Sequence, residues 1–234
     1  MSNQHFDFKR FRIEQDRCSM KVGTDGVLLG AWFNLEPGMS VLDIGTGTGL
    51  IALMAAQRGA GSVTAVEIDP DAAGQALENV RRSEWADRIE VINADIALFT
   101  ARTGFDRIVC NPPYFRDSLR CPDAGRNTAR HNDSLSFETL VRCSASLLAP
   151  DGLLCLVMPF DAVSVFTKCA ALAGLYLCRR TDLVTAPGKT PKRSLLASGK
   201  QSDELQSDTL SICGPDGKET SEYVNLVNDF YLKY

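Results

Sequence analysis

The sequence predicts an α/β fold: a mostly parallel sheet of seven strands, helices on both faces, and an antiparallel C-terminal edge. Three observations lead there. From about residue 40, short aliphatic runs alternate with stretches of helical period, which implies right-handed crossovers and a parallel sheet. The run Gly152–Met158 is apolar without alternation, as a strand covered on both faces must be. The 234 residues, 44% of them hydrophobic, supply one large buried core, so residues 1–234 read as a single domain.

The elements follow in order. Phe6, Phe8, Phe11 and Ile13 mark a hairpin, and Val27–Leu35 a short helix. These fall outside the alternation, so residues 1–36 read as an N-terminal cap on a core of residues 37–234. Val41–Ile44 is the first buried strand and Leu50–Ala56 its helix. Val63–Val66 and a helix from Asp71 to about Arg82 repeat the unit. Ile89–Ile92 and Phe105–Cys110 are the third and fourth strands. A helix over Phe137–Leu148 leads into Gly152–Met158, and one over Ala162–Ala173 into Leu175–Val184. Lys192–Ser198 and Thr209–Cys213 read as strands with no helix between them, hence the antiparallel edge. Apart from the second of these strands, residues 199–221 match nothing recognisable.

Composition excludes several classes. The longest uncharged run is the 14 residues between Asp43 and Arg58; it holds three glycines, and a membrane span needs about 20 apolar residues. The opening ten residues alternate apolar with charged side chains, unlike a secretory signal. The protein is therefore expected to be cytoplasmic. Its eight cysteines form no Cys-x-x-Cys pair and accompany only His5 and His131, so zinc lacks its usual ligand spacing. Free thiols in a reducing compartment are expected. A net charge of −4 leaves any nucleic-acid partner to a local patch.

Four motifs carry chemistry. Asp43-Ile-Gly45-Thr-Gly47-Thr-Gly49 occupies a strand-to-helix turn, where glycines admit close approach of a ligand to the backbone and the helix offers free N–H groups. Asp43 would repel a pyrophosphate but suits a ligand carrying ammonium and sulfonium charges. Glu67, 22 residues beyond Gly45 in Val66-Glu67-Ile-Asp69-Pro70, stands where an acid accepts ribose hydroxyls. Asp95 follows the third strand beside the same crevice and could accept an adenine amino group. Asn111-Pro112-Pro113-Tyr114 follows the fourth strand. Its prolines remove two N–H donors and leave carbonyls, beside an amide oxygen and an aromatic ring. Such a site accepts a planar –NH2 and stacks on the ring that bears it.

Together, Asp43–Gly49, Glu67, Asp95 and Asn111–Tyr114 resemble the motif series of class I S-adenosylmethionine-dependent methyltransferases, and Asn-Pro-Pro-Tyr resembles their amino-group-methylating branch. That branch acts on adenine N6, guanine N2 or protein glutamine amides, so the tetrapeptide leaves the acceptor open; a non-catalytic cofactor-binding module is the reading from another class. Phe8–Asp16, Met20–Trp32 and Glu222–Leu232 are similar to the opening and close of the bacterial tRNA1(Val) (adenine(37)-N6)-methyltransferases, extending the likeness from about residue 6 to 232. The resemblance implies a Rossmann-like fold, S-adenosyl-L-methionine as cofactor with S-adenosyl-L-homocysteine as product, the anticodon loop of a tRNA as substrate, a monomer, and neither metal nor membrane. Asn111, Pro112, Pro113 and Tyr114 would be catalytic. Asp43, Gly45, Gly47, Gly49, Glu67, Asp69 and Asp95 would hold the cofactor, with Lys21, Thr24 and Asp25 assigned to it on the resemblance alone. Adenine N6 is a poor nucleophile until hydrogen bonds to Asn111 and the Pro112 carbonyl localise its lone pair.

An RNA grip should be basic and local. Residues 186–202 hold Lys189, Lys192, Arg193 and Lys200 and no acid, a loop that could track phosphates. Arg116, Arg120, Arg126, Arg130 and His131 follow the tetrapeptide and suggest a substrate lid. Lys9, Arg10 and Arg12 are the alternative grip.

Overall fold

The computed structural model describes residues 4–18, 20–112, 135–202 and 204–234. The chain opens with a hairpin of β1 (His5–Asp7) and β2 (Arg12–Glu14), followed by α1 (Thr24–Trp32). The alternating core then runs β3 (Ser40–Ile44), α2 (Leu50–Gln57), β4 (Ser62–Glu67), α3 (Pro70–Arg81), β5 (Ile89–Asn93), β6 (Phe105–Cys110), α4 (Phe137–Leu147), β7 (Leu148–Pro159), α5 (Val163–Leu172) and β8 (Tyr176–Val184). It closes with β9 (Arg193–Gly199), β10 (Gln206–Ser211) and α6 (Ser221–Val227).

The main sheet has the order β10-β8-β9-β7-β6-β3-β4-β5. Among the described residues the sheet has eight strands rather than seven, and the strand expected at Thr209–Cys213 is β10. All neighbours pair in parallel except β9, which is antiparallel to both β7 and β8. The expected antiparallel portion is thus this one strand. A strand that turns straight back from β8 delivers the chain to the opposite end of the sheet, so the next strand runs upward again; β10 accordingly pairs in parallel with β8 at the edge.

Each helix has a local cause. Asp69 caps α3, accepting from the Asp71 and Ala72 N–H groups, with Pro70 in the first turn where its missing donor costs nothing. Buried Ala72, Ala73, Ala76, Asn79 and Val80 then recur at helical spacing. α2 is different. Seven of its eight residues are buried, because α1 packs against it as well as the sheet. Gly30 makes that approach possible, since a Cβ there would stand 2.6 Å from Met54 Sδ.

The two faces of the sheet bury separate cores. One gathers the hairpin, α1, α2 and α6 around Ile13, Leu28, Phe33, Leu53, Tyr223 and Phe230; the other gathers α4 and α5 around Leu140, Leu147, Phe166 and Leu154. The hairpin is fixed to the chain's end: Lys9 N–H donates to Phe230 O at 2.8 Å, and Phe8 stacks on Phe11 and Tyr231. Trp32 Nε1 donates to Thr181 Oγ1 at 2.8 Å, tying α1 to β8. No disulfide joins any of the seven described cysteines. No described helix is long and apolar enough to cross a membrane.

Candidate active site

The strand order reverses at β3, which continues to β4 and β5 on one side and to β6 and β7 on the other. Ligands of doubly wound sheets bind in the crevice at such a switch point, beyond the carboxyl ends of the strands. The sequence motifs converge on that crevice.

The turn after β3 is built from left-handed glycines: φ is 69° at Gly45, 57° at Gly47 and 82° at Gly49, values that favour residues without a Cβ. The Gly45 N–H donates to Val66 O at 2.8 Å, and the Gly47 N–H to Glu67 Oε2 at 2.9 Å. The loop is therefore clamped to the end of β4. Among the described residues, a Cβ at Gly45 would meet nothing within 4 Å, so these leave open space over the loop.

Asp43 sits beneath it, 1% exposed, accepting from Thr46 Oγ1 at 2.6 Å. Burial pushes its carboxyl up to about 7, and the nearby Glu67 charge adds to the rise, against hydrogen bonds from Thr46 and the Ala52 backbone. Glu67, 9% exposed, uses Oε1 to accept from the Asp69 N–H at 3.1 Å and Oε2 to accept from Gly47. The bonds to described residues use two of its roughly four lone-pair sites. Asp69 caps α3 through Oδ1 alone, accepting from the Asp71 and Ala72 N–H groups. Asp95, half-buried after β5, accepts from the Ala97 N–H through Oδ1 at 2.8 Å.

The segment before α1 lies over this turn. Arg17 N–H donates to Gln75 Oε1 on α3, and Val22 N–H to Gln15 Oε1. Cys18 Sγ stands 3.8 Å from where a Cβ on Gly47 would be. Burial, with the charges of Glu67 and Asp69, pushes the Cys18 thiol up to about 11, so it is a neutral wall of the crevice. Sequence reasoning missed Cys18, because only the fold lays the segment across the glycine turn. Thr46 was inside the quoted motif without a role; a hydroxyl three residues after a buried acid was the signal.

Thr24 and Asp25 open α1, with Lys21 exposed just before it. Asp25 Oδ2 accepts from Arg193 Nε at 2.8 Å. Asn111 extends β6 to the same place: a Cβ at Gly26 would lie 3.4 Å from Asn111 Nδ2. Asn111 is half-buried and Pro112 buried. Pro113, Tyr114, Arg116, Arg120, Arg126, Arg130 and His131 lie outside the described residues.

The basic loop divides. Lys189 and Lys192 are exposed at the crevice end of the sheet, where Arg193 stands opposite Pro159. Lys200 follows the far end of β9, where Gly199 faces Leu153, and donates to Leu148 O at 2.8 Å. Seven strand residues at about 3.3 Å each separate the two ends, so residues 186–202 are not one patch. At the N-terminus, Lys9 donates to Asn228 O, Arg10 pairs with Glu84 and Arg12 with Asp7.

Comparison with known proteins identifies relatives of the chain and of its fold. The family described as "Methyltransferase small domain" matches residues 20–162. A tRNA1(Val) (adenine(37)-N6)-methyltransferase of Bacteroides fragilis is 48% identical over 236 residues, covering 100% of both chains. The protein of that name from Haemophilus influenzae is 43% identical, covering 98% of this chain and 99% of its own. Among solved structures, a predicted O-methyltransferase of Agrobacterium tumefaciens superposes with a TM-score of 0.70 at 22% identity, over 88% of this chain and 96% of that one. A ribosomal protein L11 methylase of Lactobacillus delbrueckii subsp. bulgaricus reaches 0.52 at 19% identity, over 77% and 78%. At these identities the structures share the fold.

Proposed function

The chain belongs to the methyltransferase small domain family, and within it to the tRNA1(Val) (adenine(37)-N6)-methyltransferases, and from that premise we propose that it methylates N6 of adenine 37 in the anticodon loop of tRNA1(Val), in the cytoplasm. The observation that carries the reading is the placement of Asn111 and Pro112 at the end of β6, against the first turn of α1 and one strand from the glycine turn.

The crevice fits S-adenosylmethionine. The described residues leave open space over Gly45, and two buried carboxylates, Asp43 and Glu67, give a field that suits a cationic ligand. Asp43 would face its charged end, Glu67 would accept the ribose hydroxyls, and Asp95 would accept the adenine amino group. When bound, the cofactor supplies an activated methyl group.

The protein's task is then orientation. Asn111 Oδ1 and the Pro112 carbonyl accept the two N6–H bonds of the target adenine, which turns the nitrogen lone pair out of conjugation with the ring. By the family resemblance, Tyr114 would stack on the base. Positioning and charge complementarity of this kind are worth several kcal/mol. A base in an anticodon loop is cheaper to extrude into the crevice than a paired one.

The test is mass spectrometry of nucleosides from tRNA incubated with enzyme and methyl-labelled S-adenosylmethionine. Labelled N6-methyladenosine from tRNA1(Val) is the expected product. Labelled N2-methylguanosine, or label in protein alone, would refute the reading.

A further inference from the structure

Phe160 follows β7 directly, at the crevice end of the sheet. β6 and β7 run parallel with Cys110 opposite Leu156, so Asn111 and Pro112 stand beside the residues leading to Phe160. The ring is half-buried, and among the described residues it belongs to neither hydrophobic core. The Arg180 guanidinium covers one face at 5.0 Å from the ring centroid. Arg180 is held in turn: its Nε donates to Asp182 Oδ1 at 2.8 Å, and Ser194 Oγ donates to the same oxygen at 2.6 Å. The Phe160 N–H donates to Lys192 O at 3.2 Å, which seats the ring beside the exposed turn of Lys189 and Lys192.

A large apolar ring outside both cores of the described residues is backed here by a cation already paired with Asp182. It has the form of a surface on which a planar group lies. RNA-binding proteins hold unpaired bases this way, on aromatic and guanidinium planes. We propose that Phe160, braced by Arg180 and Asp182, is a second base-binding site: it stacks a nucleobase of the substrate RNA beside the target adenine, while Lys189 and Lys192 meet the adjoining phosphates. This rests on the RNA reading of the crevice and adds to it a contact outside the Asn-Pro-Pro-Tyr motif.

The experiment measures the affinity of unmodified tRNA1(Val) transcript for enzyme saturated with S-adenosylhomocysteine, together with cofactor affinity and turnover. Loss of one base stack predicts about 5- to 100-fold weaker tRNA binding by Phe160→Ala. Phe160→Leu, which keeps bulk and guards against misfolding, should also lose affinity, and Phe160→Tyr should retain it. Cofactor affinity should stay at the wild-type value in all three. A wild-type enzyme that methylates tRNA alongside a Phe160→Leu variant of unchanged tRNA affinity would overturn the base-binding site alone. A wild-type enzyme that leaves tRNA unmethylated would overturn the functional reading and this one with it.

Discussion

Arg193 and Asp25, 168 residues apart, meet through a hydrogen-bonded ion pair, Nε to Oδ2 at 2.8 Å. The pair ties the start of β9 to the first turn of α1, the turn that packs against Asn111. Both side chains are more than a third exposed, so the pair is worth about 0–1 kcal/mol of stability. Its consequence lies in what it takes away. Arg193 is already neutralised, whereas Lys189 and Lys192 stand exposed beside it.

tRNA binding should therefore depend on salt through the two lysines. Each phosphate contact changes log K by about −0.7 to −0.9 per log unit of salt. Replacing Lys189 and Lys192 together by Ala should flatten the slope by roughly 1.4–1.8 on the same scale, and Arg193→Ala should leave it at the wild-type value. Titrations at several salt concentrations distinguish these. A steeper contribution from Arg193 than from either lysine would sink the assignment.

Asn111→Ala should keep cofactor binding and lose turnover by about 100-fold or more, the usual loss when a positioned polar group at the reacting atom is removed. Calorimetry with S-adenosylhomocysteine and single-turnover methylation separate the two. Parallel loss of both would move Asn111 from the target amine to the cofactor.

Most of this framework was legible in the sequence because parallel strands and their crossover helices leave strong periodic signals. β3 to β8 and the helices between them stand within a few residues of where the aliphatic runs put them. What escaped was set by long-range contact. α6 offers only Tyr223 and Val227 as buried residues in seven, too short a pattern to read. The partners of Asp25 and the site of Cys18 depend on segments that only the fold brings together. The basic loop failed as a unit for a related reason: charge was read along the chain, and β9 carries Lys200 across the sheet.

Glu67→Gln should weaken S-adenosylmethionine binding by about 1.5–3 kcal/mol, the range for hydrogen bonds to a charged group, while tRNA still binds. Gln retains one acceptor oxygen for the Gly47 or Asp69 N–H, so the turn should survive; circular dichroism checks this. Unchanged cofactor affinity would remove Glu67 from the ribose role.

Asp43 makes the site pH-sensitive in a defined direction. Its carboxyl is raised to about 7 by burial and by Glu67, against an ordinary value of about 4. Between those values the folded protein holds a proton that the unfolded chain has released, so this group's contribution to stability falls as pH rises from about 4 to 7. Asp43→Asn cannot ionise, and should gain thermal stability relative to wild type between pH 5 and pH 8. Cofactor binding works against the same proton. A cationic ligand favours the carboxylate, so S-adenosylmethionine should release a fraction of a proton on binding near pH 6.5. Calorimetry in two buffers of different ionisation enthalpy measures that fraction. Equal proton release by wild type and Asp43→Asn would show that the proton comes from another group.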